Sequence, residues 1–144
     1  MRFFFYGTLL DRDVTALVLG RRLPASAFVP AILPGWSRWR VQGSSYPISV
    51  PDRKGTVSGA IVNGLSARDV ARLSAYEGPS YRVASLKVSV GGTFTTVSVF
   101  EPLISKLKPT NRTWDLTLWQ RQDKRAFVAR LARALNGRRG YSRP

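Results

Sequence analysis

Two short stretches hold the groups that could do chemistry in this 144-residue chain. One is "LSAYEGPSYRV", carrying Glu77, and the only other glutamate is Glu101. The other is "FYGTL" at residues 5–9. The chain has no cysteine and no histidine. Disulfides, thiolate metal sites, cysteine nucleophiles and Ser-His-Asp catalysis are therefore excluded, with the usual zinc and iron ligand sets. Proton transfer near neutral pH falls to a carboxylate, a lysine, a tyrosine or bound water.

Glu77 is the strongest of these candidates. A helix expected over residues 67–76 puts it at the negative end of the helix dipole, where a carboxylate is disfavoured. Its pKa should drift upward, more so if Tyr76, Pro79 and Tyr81 wall it from water, which suits a general base. The competing reading is a structural ion pair with Arg82. "FYGTL" reads as a strand that stops at Gly7 with a helix starting soon after. Such a turn offers successive backbone N–H groups to an anion or a developing oxyanion, and Thr8 adds a hydroxyl. The competing reading there is an ordinary tight turn. Asp11, Asp13, Asp69 and Asp115 read as helix caps, Asp52 as a turn residue, and Asp123 as the start of the last helix.

These stretches need elements to hold them. "RFFFYG" reads as a short buried strand and "DRDVTALVLG" as a helix capped by Asp11 or Asp13 and closed by Gly20. "FVPAILPGWSRWRV" reads as a proline-broken strand running into a second one near residues 36–41. "YPISVPDRKGTVSGAIVNGL" suggests two strands joined by the turn "DRKG". "SARDVARLSAYEG" is the clearest helix, with Ser66 as N-cap, Asp69 three residues on, Ala67, Val70 and Leu73 along one face, and Gly78 as a stop. A hairpin around Gly91 and Gly92 follows. The last helix carries Phe127, Val128, Leu131 and Leu135 in one stripe and is closed by Gly137. Hairpins and broken strands favour an α+β fold with a mixed or antiparallel sheet. Residues 1–137 read as one domain, and residues 138–144 as a basic tail with the character of a mobile segment.

The net charge is +15, with 23 lysines and arginines against 8 acids. Eight of the basic residues and one acid fall within residues 121–143. This is either a surface for nucleic acid or another anionic partner, or a solvated helix face with a loose tail. No helix-turn-helix or stacked-aromatic pattern supports sequence-specific readout. No apolar run approaches a membrane span, and the N-terminus lacks a secretory pattern, so the expectation is a soluble cytoplasmic protein with no membrane partner.

Taken in order, "YGTL", "YP" at Tyr46 and Pro47, "VSGAIV" at residues 57–62 and "YEGPSYRV" resemble the γ-glutamylcyclotransferase-like family, which includes AIG2-like proteins and γ-glutamylamine cyclotransferases. The match covers residues 1–100, about two-thirds of the chain. The resemblance implies a small mixed β-barrel with flanking helices. It implies that Tyr6, Gly7, Thr8 and Leu9 hold the γ-glutamyl part of a small substrate and that Glu77 is the general acid/base, with Tyr81 and Arg82 on the substrate side. It implies release of 5-oxoproline with no cofactor and no metal. The alternative is a non-catalytic module that binds an anionic metabolite in the barrel pocket, or nucleic acid on the basic C-terminal helix. This chain has Ser74 where members often carry an aspartate, and Phe100 where many carry a tyrosine.

Overall fold

In a computed structural model that describes residues 1–103 and 107–137, six strands and four helices follow one another. They are β1 (Phe3–Phe5), α1 (Arg12–Leu19), β2 (Phe28–Val41), β3 (Pro47–Val62), α2 (Ala67–Glu77), β4 (Tyr81–Val90), β5 (Thr93–Pro102), β6 (Pro109–Thr113), α3 (Leu116–Gln122) and α4 (Lys124–Gly137), with single 3₁₀ turns at Thr8–Leu10 and Ala25–Ala27. Strands β3, β1, β5, β4 and β2 pair in that order, and β2 pairs back to β3, which closes a five-stranded barrel. The β1–β5 contact is parallel and the other pairings are antiparallel, so the barrel is mixed. β6 adds to the outer end of β2. The expected α+β barrel with flanking helices is the fold observed.

Closure explains the unbroken "FFFY" run. Successive strand residues point to opposite faces, and here both faces are covered. Phe4 and Tyr6 enter the barrel interior with Leu33, Val57, Ile61, Val88 and Val97. Phe3 and Phe5 face the helices, with Val14, Leu73, Trp119, Phe127 and Leu131. Burying side chains such as Phe127 and Leu131 stabilises by about 1.5–3 kcal/mol each. α4 is thus part of the core. Trp119 meets the Phe127 ring edge-on at 5.3 Å between centroids. Lys124 also bridges the Asp11 and Asp13 carboxylates of the α1 cap at 2.9 and 2.6 Å. Hydrogen bonds from Lys124 and Arg22 hold the Asp13 carboxyl down to about 2, and Asp13 and Asp11 in turn raise the Lys124 ammonium.

Three sequence expectations change. "DRKG" does not separate two strands, because β3 runs through it and pairs with β2 on both sides. Trp36 pairs with Pro51 and Pro34 with Thr56. Residues 52–55 therefore bulge out opposite Gly35 alone, with the Lys54 N–H donating to Asp52 Oδ1 at 3.2 Å. The turn chemistry is spent on a bulge that bends a long hairpin. In the same way, β2 is one strand through its prolines, since its register against β3 shifts only at that bulge. On α2 the buried face is Asp69, Leu73 and Tyr76, while Ala67 is exposed.

β6 was not anticipated, and of α3 only the cap was: Asp115, which accepts from the Leu118 N–H. β6 is polar and lies at a sheet edge, and α3 buries only Trp119, so neither carries periodicity. The tail, residues 138–144, lies outside the described residues. Among those described, no helix is long and apolar enough to cross a membrane.

Candidate active site

β1 ends at Phe5, and the next residues turn sharply rather than entering a helix directly. Thr8–Leu10 form one 3₁₀ turn, with the Leu10 N–H donating to Gly7 O at 2.9 Å. Asp11 then caps α1 by accepting from the Asp13 and Val14 N–H groups. The first N–H groups of such a turn have no partner within it. Gly7 is needed for close approach: a Cβ there would lie 3.0 Å from Pro47 Cγ, at the start of β3.

α2 reaches the same place from the other side. The Ser66–Asp69 capping box starts the helix, and Arg21 reinforces it by pairing with Asp69 at 2.5 Å. Arg21 and then Ser66 hold the Asp69 carboxyl down to about 2 against its burial. Glu77 is the last helical residue, and Gly78, at φ 80, turns the chain into β4. The Tyr76 hydroxyl, fully buried one residue before Glu77, hydrogen bonds with Thr8 Oγ1 at 2.6 Å. This contact ties the end of α2 to the "YGTL" turn across 68 residues of sequence.

Between them lies a cavity lined by Tyr6, Gly7, Thr8, Leu9, Glu77 and Tyr81, with Pro47, Phe100, Phe4 and Phe5 completing the wall. Its volume is about 20 Å³, space for a water molecule but not for a glutamyl group. Every expected site residue except Arg82 is here. Strand alternation separates Arg82 from Tyr81: Tyr81 is buried and its hydroxyl points to Pro47 O at 3.5 Å, while Arg82 faces solvent and donates to Glu101 at 3.1 Å. Phe100 stacks on Phe3 with ring centroids 4.9 Å apart.

Sequence reasoning missed Arg38. Its guanidinium donates to Tyr6 O at 2.8 Å, Ser58 O at 2.8 Å and Trp114 O at 3.0 Å, and lies over the Trp114 ring at 5.2 Å. It is a positioning residue for the start of the turn, and its burial lowers its pKa from the ordinary arginine value. One arginine in so basic a chain gave no signal. The Tyr6 hydroxyl donates to Phe100 O at 2.9 Å, which joins β1 to β5 at the same level. Among the described residues no group of three acids converges in a manner that could hold a metal ion.

A closed mixed barrel, with its cavity where one strand end, one helix end and a tight turn meet, defines the class. The sequence profile of the family described as gamma-glutamyl cyclotransferase, AIG2-like, matches residues 3–119, and the chain belongs to that family. It is 30% identical over 139 residues to AIG2-like protein C of Arabidopsis thaliana, covering 94% of this chain and 78% of that one. It is 31% identical over 127 residues to AIG2-like protein A of the same plant, covering 87% and 75%. A solution structure of an Arabidopsis thaliana protein, 30% identical, superposes with a TM-score of 0.66 over 90% of this chain and 86% of that one. A structure titled gamma-glutamyl cyclotransferase has the same fold, with a TM-score of 0.55 at 17% identity over 71% of this chain and 66% of that one.

Proposed function

We propose that the protein is a γ-glutamyl cyclotransferase that converts a small γ-glutamyl amine or peptide into 5-oxoproline and a free amine. The observation that carries this reading is that Glu77 and the Tyr6, Gly7, Thr8 and Leu9 turn line one cavity. Family membership supports the reaction class.

Glu77 takes a proton from the substrate's α-ammonium. The freed amine attacks its own γ-carbonyl carbon, closing the five-membered ring and placing negative charge on the carbonyl oxygen. The turn's N–H groups are the donors suited to that oxyanion. Collapse of the intermediate breaks the bond to the leaving nitrogen, which takes the proton back from Glu77, while the ring nitrogen gives up its second proton to solvent to leave the lactam. Ring closure is intramolecular, so the protein mainly has to orient the glutamyl chain. Gly7 against Pro47 and Thr8 against Tyr76 hold the turn to that end. A glutamyl group is larger than the closed cavity, so binding requires its walls to part.

The test is a panel of γ-glutamyl amines and dipeptides assayed for 5-oxoproline with the native chain and with Glu77→Gln. Release from at least one substrate, lost in a folded Glu77→Gln protein, supports the reading. No release from any substrate, or full turnover by the variant, overturns it.

A further inference from the structure

A second concave surface lies away from the Glu77 cavity, where β2, β6 and α4 meet the loop between β2 and β3. It encloses about 420 Å³, and Arg40, Arg112 and Arg130 line it from three different elements. Asp123 is the acid among its lining residues, and Arg40 already occupies it, with Nη1 to Oδ2 at 3.1 Å and Nη2 to Oδ1 at 3.3 Å. Among the described residues, Arg112 and Arg130 have no carboxylate within ion-pairing distance, while Asp11, Asp13, Asp69 and Glu101 are engaged with cations elsewhere. The backbone that carries Arg112 is fixed, because Thr110 Oγ1 donates to Arg40 O at 2.8 Å and accepts from the Arg112 N–H at 3.2 Å.

Two unneutralised guanidinium groups from separate elements, facing one cleft beside a fork already satisfied, are suited to an oxyanion with several acceptor oxygens. Arginine's planar donor fork pairs with phosphate in a bidentate way, and a phosphate group offers a second guanidinium the further acceptor oxygens that a single carboxylate lacks. The net charge of +15 favours the encounter with any such anion. We propose that this cleft binds the phosphate of a phosphate-bearing ligand, either a phosphate monoester or the phosphodiester backbone of a nucleic acid strand. The site is independent of the cyclotransferase reaction and survives if that reading fails.

The test uses the full chain, a fluorescein-labelled single-stranded oligonucleotide at low salt, and inorganic phosphate and a mononucleotide as competitors. Arg112→Glu with Arg130→Glu is compared with Arg53→Glu with Lys54→Glu, an exposed pair on the β3 bulge that changes the net charge equally. Thermal melts establish that both variants are folded. The cleft variant is expected to weaken binding about tenfold or more and to reduce the salt slope by about 1.4, two contacts at roughly 0.7 each. The bulge variant should keep the native slope. Displacement by the mononucleotide assigns a monoester site, and retention of the oligonucleotide against it assigns the phosphodiester backbone. Equal losses in the two variants, unchanged binding in the cleft variant, or no binding of any probe at low salt overturns the proposal.

Discussion

The Thr8 hydroxyl and the Tyr76 hydroxyl lie 2.6 Å apart in the core, and this one hydrogen bond joins the turn after β1 to the last turn of α2. Neither side chain is a candidate for proton transfer to substrate. Their pairing sets where the backbone of residues 7–9 stands relative to Glu77, the next residue after Tyr76.

Tyr76→Phe removes that link and leaves Thr8 buried without it. A lost buried hydrogen bond costs about 1–3 kcal/mol of stability. Turnover should fall more than the folded fraction does, because the turn is released relative to Glu77. Parallel thermal melts and initial rates of 5-oxoproline release measure both effects. A rate unchanged in a destabilised protein would place the bond in the core alone.

Gly7→Ala puts a methyl group 3.0 Å from Pro47 Cγ and 3.2 Å from Cδ. Pro47 begins β3, so the turn must yield by a few tenths of an ångström. We expect kcat/KM to fall by about tenfold, since small displacements of positioning groups are costly in orientation-driven reactions. Adding Pro47→Ala should recover part of the loss. Additive losses in the double variant would contradict the steric explanation.

Asp69 gives the fold an acid-sensitive joint. Its folded-state carboxyl is lowered from 3.8 to about 2, first by the hydrogen bond from Arg21. A depressed folded-state pKa contributes stability that is fully present above the unfolded value and is lost as pH falls through the folded one. The contribution should therefore fade between about pH 4 and pH 2. Arg21 is half exposed, so about 1 kcal/mol is the expected size. In urea titrations the gap between the native chain and Asp69→Asn should narrow across that interval. A gap constant with pH would contradict the assignment.

Ser49 Oγ is buried in the barrel interior with no hydrogen-bond partner among the described residues. Removing an unsatisfied buried hydroxyl relieves a desolvation cost. Ser49→Ala should leave the melting temperature unchanged or raise it by a few degrees, equivalent to up to about 1 kcal/mol. A clear fall in melting temperature would mean that the hydroxyl has a partner in solution.

Much of the site's scaffold could be read from sequence because local rules govern it. Ser66 is the expected N-cap, with Asp69 in the first turn completing a capping box, Gly78 ends α2 with a positive φ, and Gly91 with Gly92 turn the β4–β5 hairpin. Those features depend on neighbours a few residues away. What depends on distant partners was not legible. Arg38 reaches Tyr6 only because the barrel closes, and Thr8 meets Tyr76 only because α2 lies over the turn. "DRKG" reads locally as a hairpin turn, but β2 continues past it and the chain bulges instead. Arg82 followed Tyr81 in the reading of the site, yet strand alternation sends it to Glu101 on the outer side.

The most direct measurement is single-turnover release of 5-oxoproline by Glu77→Gln, on a substrate the native chain converts, with the variant's fold checked by its melting temperature. A general acid/base contributes about 10²–10⁴-fold. If Glu77 moves the proton, the variant should bind substrate, keep its fold and lose at least about 10²-fold in rate. A folded variant that turns over within a few-fold of the native chain would contradict the role given to Glu77.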